Sequence, residues 1–230
     1  MKAPEPKKTY DPAPKGSHVA RLYQIINLGT TEFEYMGEMK RSTKLRLTFE
    51  LSNEMKVFKE GEEAKPLSVS REFGFSMSPR SKLRPFIESM IGTALHDKEA
   101  YNFDFDDLLG RACLLTVDHA SKGEKTYAYI ISAAPLPKGM KAPGLYNEPV
   151  SLDVNSITEE QMDTLPDFLK EKMWHSEEWA LRQRATINVA KAKEVLAQHS
   201  EGSLAKANRP SFVREEPEES EDEFAKDIPF

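Results

Sequence analysis

Residues 18–136 predict a mainly β domain, a five-stranded barrel with one helix between its third and fourth strands; C-terminal helices and a disordered acidic tail follow. Three observations carry this. Leu45, Leu47, Phe49 and Leu51 alternate strictly with Lys44, Arg46, Thr48 and Glu50, the period of two that a strand with one buried face requires. Two runs rich in β-branched and aromatic residues, ACLLTVDHA and TYAYIISAAP, are joined by the short Gly-containing SKGEK and read as a hairpin. Before them, SKLRPFIESMIG places Phe86, Ile87, Met90 and Ile91 at helical spacing, with Pro85 suited to a first turn and Gly92 to a stop.

Four prolines and four lysines, with almost no bulky apolar residue, mark residues 1–17 as a flexible basic arm. The first strand is VARLYQIINLG, which should stop at Gly29. The second holds the 45–51 alternation. After the charged loop KEGEEAKP, SVSREFGFSM forms the third, with Val69, Phe73, Phe75 and Met77 on one face and Gly74 at a bulge or close approach. The helix, the turn FDFDDLLG and the hairpin complete the domain. Three strands, a helix and two strands is the element order of an OB-fold, a small Greek-key barrel that binds oligonucleotides or oligosaccharides.

Residues 137–155, with three prolines, read as a linker. Over residues 156–202, a Ser156/Glu159 capping-box pattern, an interruption at Leu165 and Pro166, and a longer stretch opened by Ser176 and ended by Gly202 predict two or three helices. Trp174, Trp179 and Ile187 are their expected buried anchors. From residue 203 apolar periodicity is lost, as in a disordered tail.

Of the 230 residues, 39% are hydrophobic, a low share that fits an arm and a tail outside any core. No apolar run approaches the roughly 18 residues that span a bilayer, and the start lacks the apolar stretch of a secretory signal, so the expectation is no membrane insertion. The single cysteine, Cys113, has no thiol partner for a disulfide or a zinc site, which fits a reducing cytoplasm. The charge is segregated. From Glu215 to Phe230 eight acids face one lysine, a net of −7; with −6 overall, the residues before carry +1. The acidity describes the tail and does not argue against a polyanionic ligand elsewhere.

Asp104, Asp106 and Asp107 cluster closely enough to suggest a Mg²⁺-dependent nuclease. The plainer reading is a capped turn, since the acids precede an apolar pair and a glycine. His18, His96, His119, His175 and His199 have no paired spacing for a metal, and no nucleophile elbow, Walker A loop or Gly-x-Gly-x-x-Gly occurs. Cys113 lies among apolar neighbours, as an inert thiol does. The expectation is therefore not an enzyme, with no cofactor and no metal.

The basic residues point further. Arg21, Lys40, Arg41, Lys44 and Arg46 lie on or beside the first two strands, and Arg71, Arg80, Lys82 and Arg84 on or after the third. Tyr23, Phe58, Phe73, Tyr127 and Tyr129 are interleaved with them. A groove for a single strand needs cations for phosphates and rings on which bases stack. A solvated strand face explains any one cation, and a core explains Phe73 or Tyr129, but the set leans toward nucleic acid.

The chain ends in EEPEESEDEFAKDIPF, a run of acids closed by Asp227, Ile228, Pro229 and Phe230. Phe230 offers a ring and the α-carboxylate together, Ile228 adds apolar area and Pro229 limits the entropy lost on ordering, so a partner needs an apolar pocket beside a cation. This ending closely resembles the tip of bacterial single-stranded DNA-binding proteins. The stretches YDPAPKGSHVARLYQIINLGT, KLRLTFEL, LLGRACLLTV, LPKGMKAP and LPDFLKEKMWHSEEW, in that order, resemble small phage-encoded single-stranded DNA-binding proteins. The resemblance implies an OB-fold, sequence-tolerant single-strand binding in replication, recombination and repair, the cytoplasm of a bacterial host, and partners recruited by the tip. Homo-oligomers are compatible with it, although the longer helical region departs from the tetrameric cellular protein. A decoy that uses the tip without binding DNA is the alternative.

Overall fold

The computed structural model describes residues 12–123 and 125–206, which build a mainly β fold. Strands β1 (Gly16–Tyr35), β2 (Glu38–Lys56) and β3 (Lys65–Gly74) form an antiparallel meander. Helices α1 (Leu83–Ile91) and α2 (Asp97–Tyr101) and a 3₁₀ turn at Asp106–Leu108 lead into the hairpin of β4 (Ala112–Lys122) and β5 (Lys125–Ala134). A short β6 (Val150–Asp153) precedes α3 (Glu159–Asp163), α4 (Asp167–Trp174) and α5 (Glu177–Lys206). The strand order is β3-β2-β1-β4-β5, and β6 joins as a sixth strand, parallel to β1 along Gln24–Asn27.

Two compact units divide the chain, the first ending at Arg184. In the second, the remaining turns of α5 expose Ile187 and Val189. No helix among the described residues is long and apolar enough to cross a membrane.

The alternation in β2 builds the main core. Leu45, Leu47, Phe49 and Leu51 are buried with Val69 and Phe73 of β3, Phe86, Ile87 and Met90 of α1, and Cys113, Leu115 and Val117 of β4. The opposite face of β2 is also covered, contrary to the expected half-buried strand. Glu50 is fully buried, and its carboxylate accepts the backbone N–H of Tyr146 (2.8 Å) and Asn147 (2.9 Å) and the Asn147 side-chain amide (2.7 Å). The Pro-rich segment expected as a linker is thereby tied across the sheet, and β6 forms just beyond it.

β1 runs past Gly29 to Tyr35. Bulges at Tyr23 and Leu28 interrupt its pairing with β2, so the alternation is lost and the strand bends. Leu22 and Ile25 join the main core, whereas Ile26 and Leu28 join a second one with Leu152, Val154, Ile157, Met162, Leu165, Leu169 and Met173. One strand thus serves two cores. Gly29 marks a close approach, not a strand end: it has φ +83°, and a Cβ there would lie 2.6 Å from the Ser176 Cβ. Met36 and Gly37, both with positive φ, make the tight β1–β2 turn.

Phe75 lies beyond the end of β3 and is exposed, so it does not share the buried face of Val69 and Phe73. The box at α3 is Thr158 with Gln161, two residues later than the Ser156/Glu159 pattern suggested. Ser176 does open α5, accepting the Trp179 N–H, but the helix continues through Gly202 to Lys206. Of the three expected anchors, only Trp179 packs against a core; Trp174 and Ile187 are exposed.

Candidate nucleic-acid interface

Two clefts run along successive stretches of the edge strand β3. The first, about 510 Å³, is lined by Pro66 to Ser70, Thr126 to Ala128 of β5, Arg46 and Phe58. Phe58 and Tyr127 are 40% and 49% exposed, and the Tyr23 hydroxyl donates to Ser68 at the same place (3.3 Å). Tyr129 and Ile131 continue the exposed side of β5 beyond Tyr127, as the alternation of a strand dictates. The second cleft, about 550 Å³, is lined by Lys44, Arg71, Arg80 and Lys82, three serines and one acid, Glu72. A third, about 330 Å³, shares Arg71, Ser81 and Lys82 with it and adds Phe86 and Ile131.

The cations divide by what already holds them. Arg80 and Lys82 are exposed and have no ion-pair partner among the described residues. Lys44 Nζ lies 5.7 Å from the centre of the Phe33 ring. Arg71 donates to the Ile130 (3.1 Å) and Ile131 (2.8 Å) carbonyls of β5 and stacks over Phe73 at 4.7 Å. Burial lowers its pKa from the ordinary guanidinium value, yet the group stays charged.

Four predicted phosphate contacts are engaged in structure instead. Arg21 donates to the Gly110 (2.6 Å), Pro143 (2.6 Å) and Ala142 (3.4 Å) carbonyls, anchoring the Pro-rich segment. Arg46 pairs with Glu72 (3.0 Å), donates to Ser70 (2.8 Å) and lies under the Phe168 ring of α4. Arg84 joins Glu88 (3.0 Å), Asp97 (2.6 Å) and the Leu95 carbonyl (2.5 Å), fixing the α1–α2 connection. Arg41 pairs with Glu177 at the start of α5. Phe73 is 3% exposed and packs on Phe86, so it has no face to offer a base.

Lys172 of α4 binds Glu72 through both carboxylate oxygens (2.6 and 2.8 Å). Burial alone would raise the Glu72 carboxyl; Lys172 and Arg46 outweigh it and hold the pKa below the ordinary value. With Phe168 over Arg46, α4 covers this part of the outer face of β2 and β3, and the clefts lie along the β3 edge.

The sequence reading named Lys40 and Arg41 at the β1–β2 tip but missed the apolar side chains beside them. Phe33, Tyr35, Met36 and Met39 are exposed there, Met36 by 85%, with Lys40 4.7 Å over the Tyr35 ring and 3.5 Å from Glu38. The alternation in EFEYMGEMK was the available signal. Asp104 accepts the Asp106 N–H (2.9 Å) ahead of the 3₁₀ turn, and no group of three or more His, Cys, Asp or Glu among the described residues is placed to hold a metal. Burial pushes the Cys113 thiol up to about 12, far from a reactive thiolate. Asp227, Ile228, Pro229 and Phe230 lie outside the described residues. Comparison with known proteins finds no family model that matches the chain and no curated protein that matches it significantly.

Proposed function

We propose that the chain binds single-stranded DNA along the β3 edge without strong sequence preference. One observation carries the reading: Pro66 to Gly74 is flanked first by a cleft with Phe58 and Tyr127 and then by one with four cations and a single acid. At the rise of a strand this is about 26 Å of continuous path. Rings accept the face of any base, and Lys44, Arg71, Arg80 and Lys82 neutralise phosphates. The exposed aromatic tip of β1–β2 extends the surface, with Lys40 and Lys44 beside its rings.

On this reading residues 18–136 are an OB barrel. β3 and β5 end the five-strand path and run in the same sense, and Arg71 reaches from one to the other where a closing seam belongs. The protein coats strands exposed in phage replication, recombination or repair inside a bacterial host. Its acidic tail occupies the cationic clefts until DNA displaces it, freeing Asp227, Ile228, Pro229 and Phe230 for partner proteins.

Photocrosslinking of oligo(dT), read by mass spectrometry, tests the path. Adducts on Phe58, Tyr127 or Tyr129 are expected. Adducts confined to residues away from β3 and the hairpin tip would reject it.

A further inference from the structure

A cleft of about 670 Å³ lies between β1, β6, the stretch from Tyr101 to Asp106, and Phe75 just past the end of β3. Its walls carry Phe75, Tyr101, Phe103 and Phe105, and Phe105 meets Phe75 (5.4 Å) and Phe103 (5.3 Å) edge to face. Rings alone would suit bases, but Asp104, Asp106 and Asp153 also line the cleft, and no lysine or arginine does. That charge repels phosphates and favours a cation held over aromatic faces.

A second feature narrows the ligand. Ser151, Leu152 and Asp153 of β6 line the same cleft, and β6 has β1 as its only strand neighbour among the described residues. Its other edge can take a short extended segment by backbone hydrogen bonding at Ser151, since the Asp153 carbonyl already accepts the Ser156 and Ile157 N–H groups. Tyr101, 63% exposed, lines the same cleft and offers its ring to a side chain of that segment.

We propose that this cleft docks an extended segment of another protein that presents arginine or lysine to the aromatic rings and carboxylates. The cleft shares no lining residue with the two clefts of the DNA path and would let the protein hold a partner while coating a strand.

The test uses the full chain and a fluorescein-labelled Gly-Arg-Trp-Arg-Gly peptide, with Gly-Glu-Trp-Glu-Gly as control, at about 0.15 M salt to screen the acidic tail. The arginine peptide should bind and the glutamate peptide should not. Asp104→Asn with Asp106→Asn should weaken binding about tenfold and Tyr101→Ala about fivefold, with oligo(dT) affinity unchanged. The amide introduced by Asp104→Asn keeps an oxygen for the backbone N–H of residue 106, and Tyr101 is exposed, so both variants should fold; their melting curves check this. Failure to bind, or equal binding by wild type and variants, which would reflect the tail alone, overturns the proposal. So does loss of oligo(dT) affinity in Tyr101→Ala with peptide binding intact, which would make the cleft a base-stacking surface.

Discussion

Replacing Arg80 and Lys82 together by alanine removes two exposed cations that have no ion-pair partner among the described residues. If each neutralises one phosphate, the slope of log K against log salt becomes shallower by about 0.7 per contact, or about 1.4 in all. At about 0.1 M salt the same relation makes binding about 25-fold weaker. Fluorescence anisotropy of labelled oligo(dT) over a salt series measures both quantities. The control is Arg84→Ala, which removes a charge from the same segment. Arg84 is engaged with Glu88, Asp97 and the Leu95 carbonyl, so its loss should lower stability and leave the slope nearly unchanged. A double variant with the wild-type slope, or an Arg84 variant that matches the double one, would refute the division between exposed and engaged cations.

Glu50→Ala leaves two backbone N–H groups and an amide without their buried acceptor, so it should cost about 3–5 kcal/mol and lower Tm by about 10 °C in calorimetry. Gly29→Ala should cost about 2 kcal/mol, read as a lower urea midpoint at unchanged m, because the new Cβ meets Ser176 at a backbone conformation that disfavours side chains. The Glu72 carboxyl titrates below its ordinary value of 4.5, so its stabilising contribution is present above that pH and is lost as pH falls through the lower, folded value. Glu72→Gln should therefore be less stable than wild type at pH 7 and lose less between about pH 5 and pH 3 in acid titrations of melting temperature. Removing Glu215 to Phe230 should tighten oligo(dT) binding at low salt, with the difference vanishing near 1 M, where the Debye length is about 3 Å.

The parts of the fold that were legible in the sequence are those with an unbroken period. Leu45 to Leu51 gave β2, and the helical spacing from Phe86 to Met90 gave α1, because nothing interrupts either pattern. The pattern alone ends β1 too early because bulges at Tyr23 and Leu28 break its alternation, and because Gly29 looks like a stop when its true constraint is Ser176, far along the chain. β6 is four residues in a proline-rich stretch and is recognisable only by its pairing with β1.

For the site, the residue types were legible and their availability was not. Arg21, Arg46 and Arg84 look like Arg80 and Lys82 in sequence. What separates them is which carbonyl or carboxylate the fold carries to each: those of 142–143 to Arg21, Glu72 to Arg46, Asp97 to Arg84. Likewise Phe73 and Tyr127 differ in the side of their strand that faces α1 and the core.

The most direct measurement is the affinity of the full protein for labelled oligo(dT) and for a duplex of equal length, across one salt series. Preference for the single strand, with log K falling by about 0.7 per phosphate contacted, is the predicted result. Absence of single-strand binding at low salt, even after the acidic tail is removed, would contradict it and leave the tip-bearing decoy as the better account.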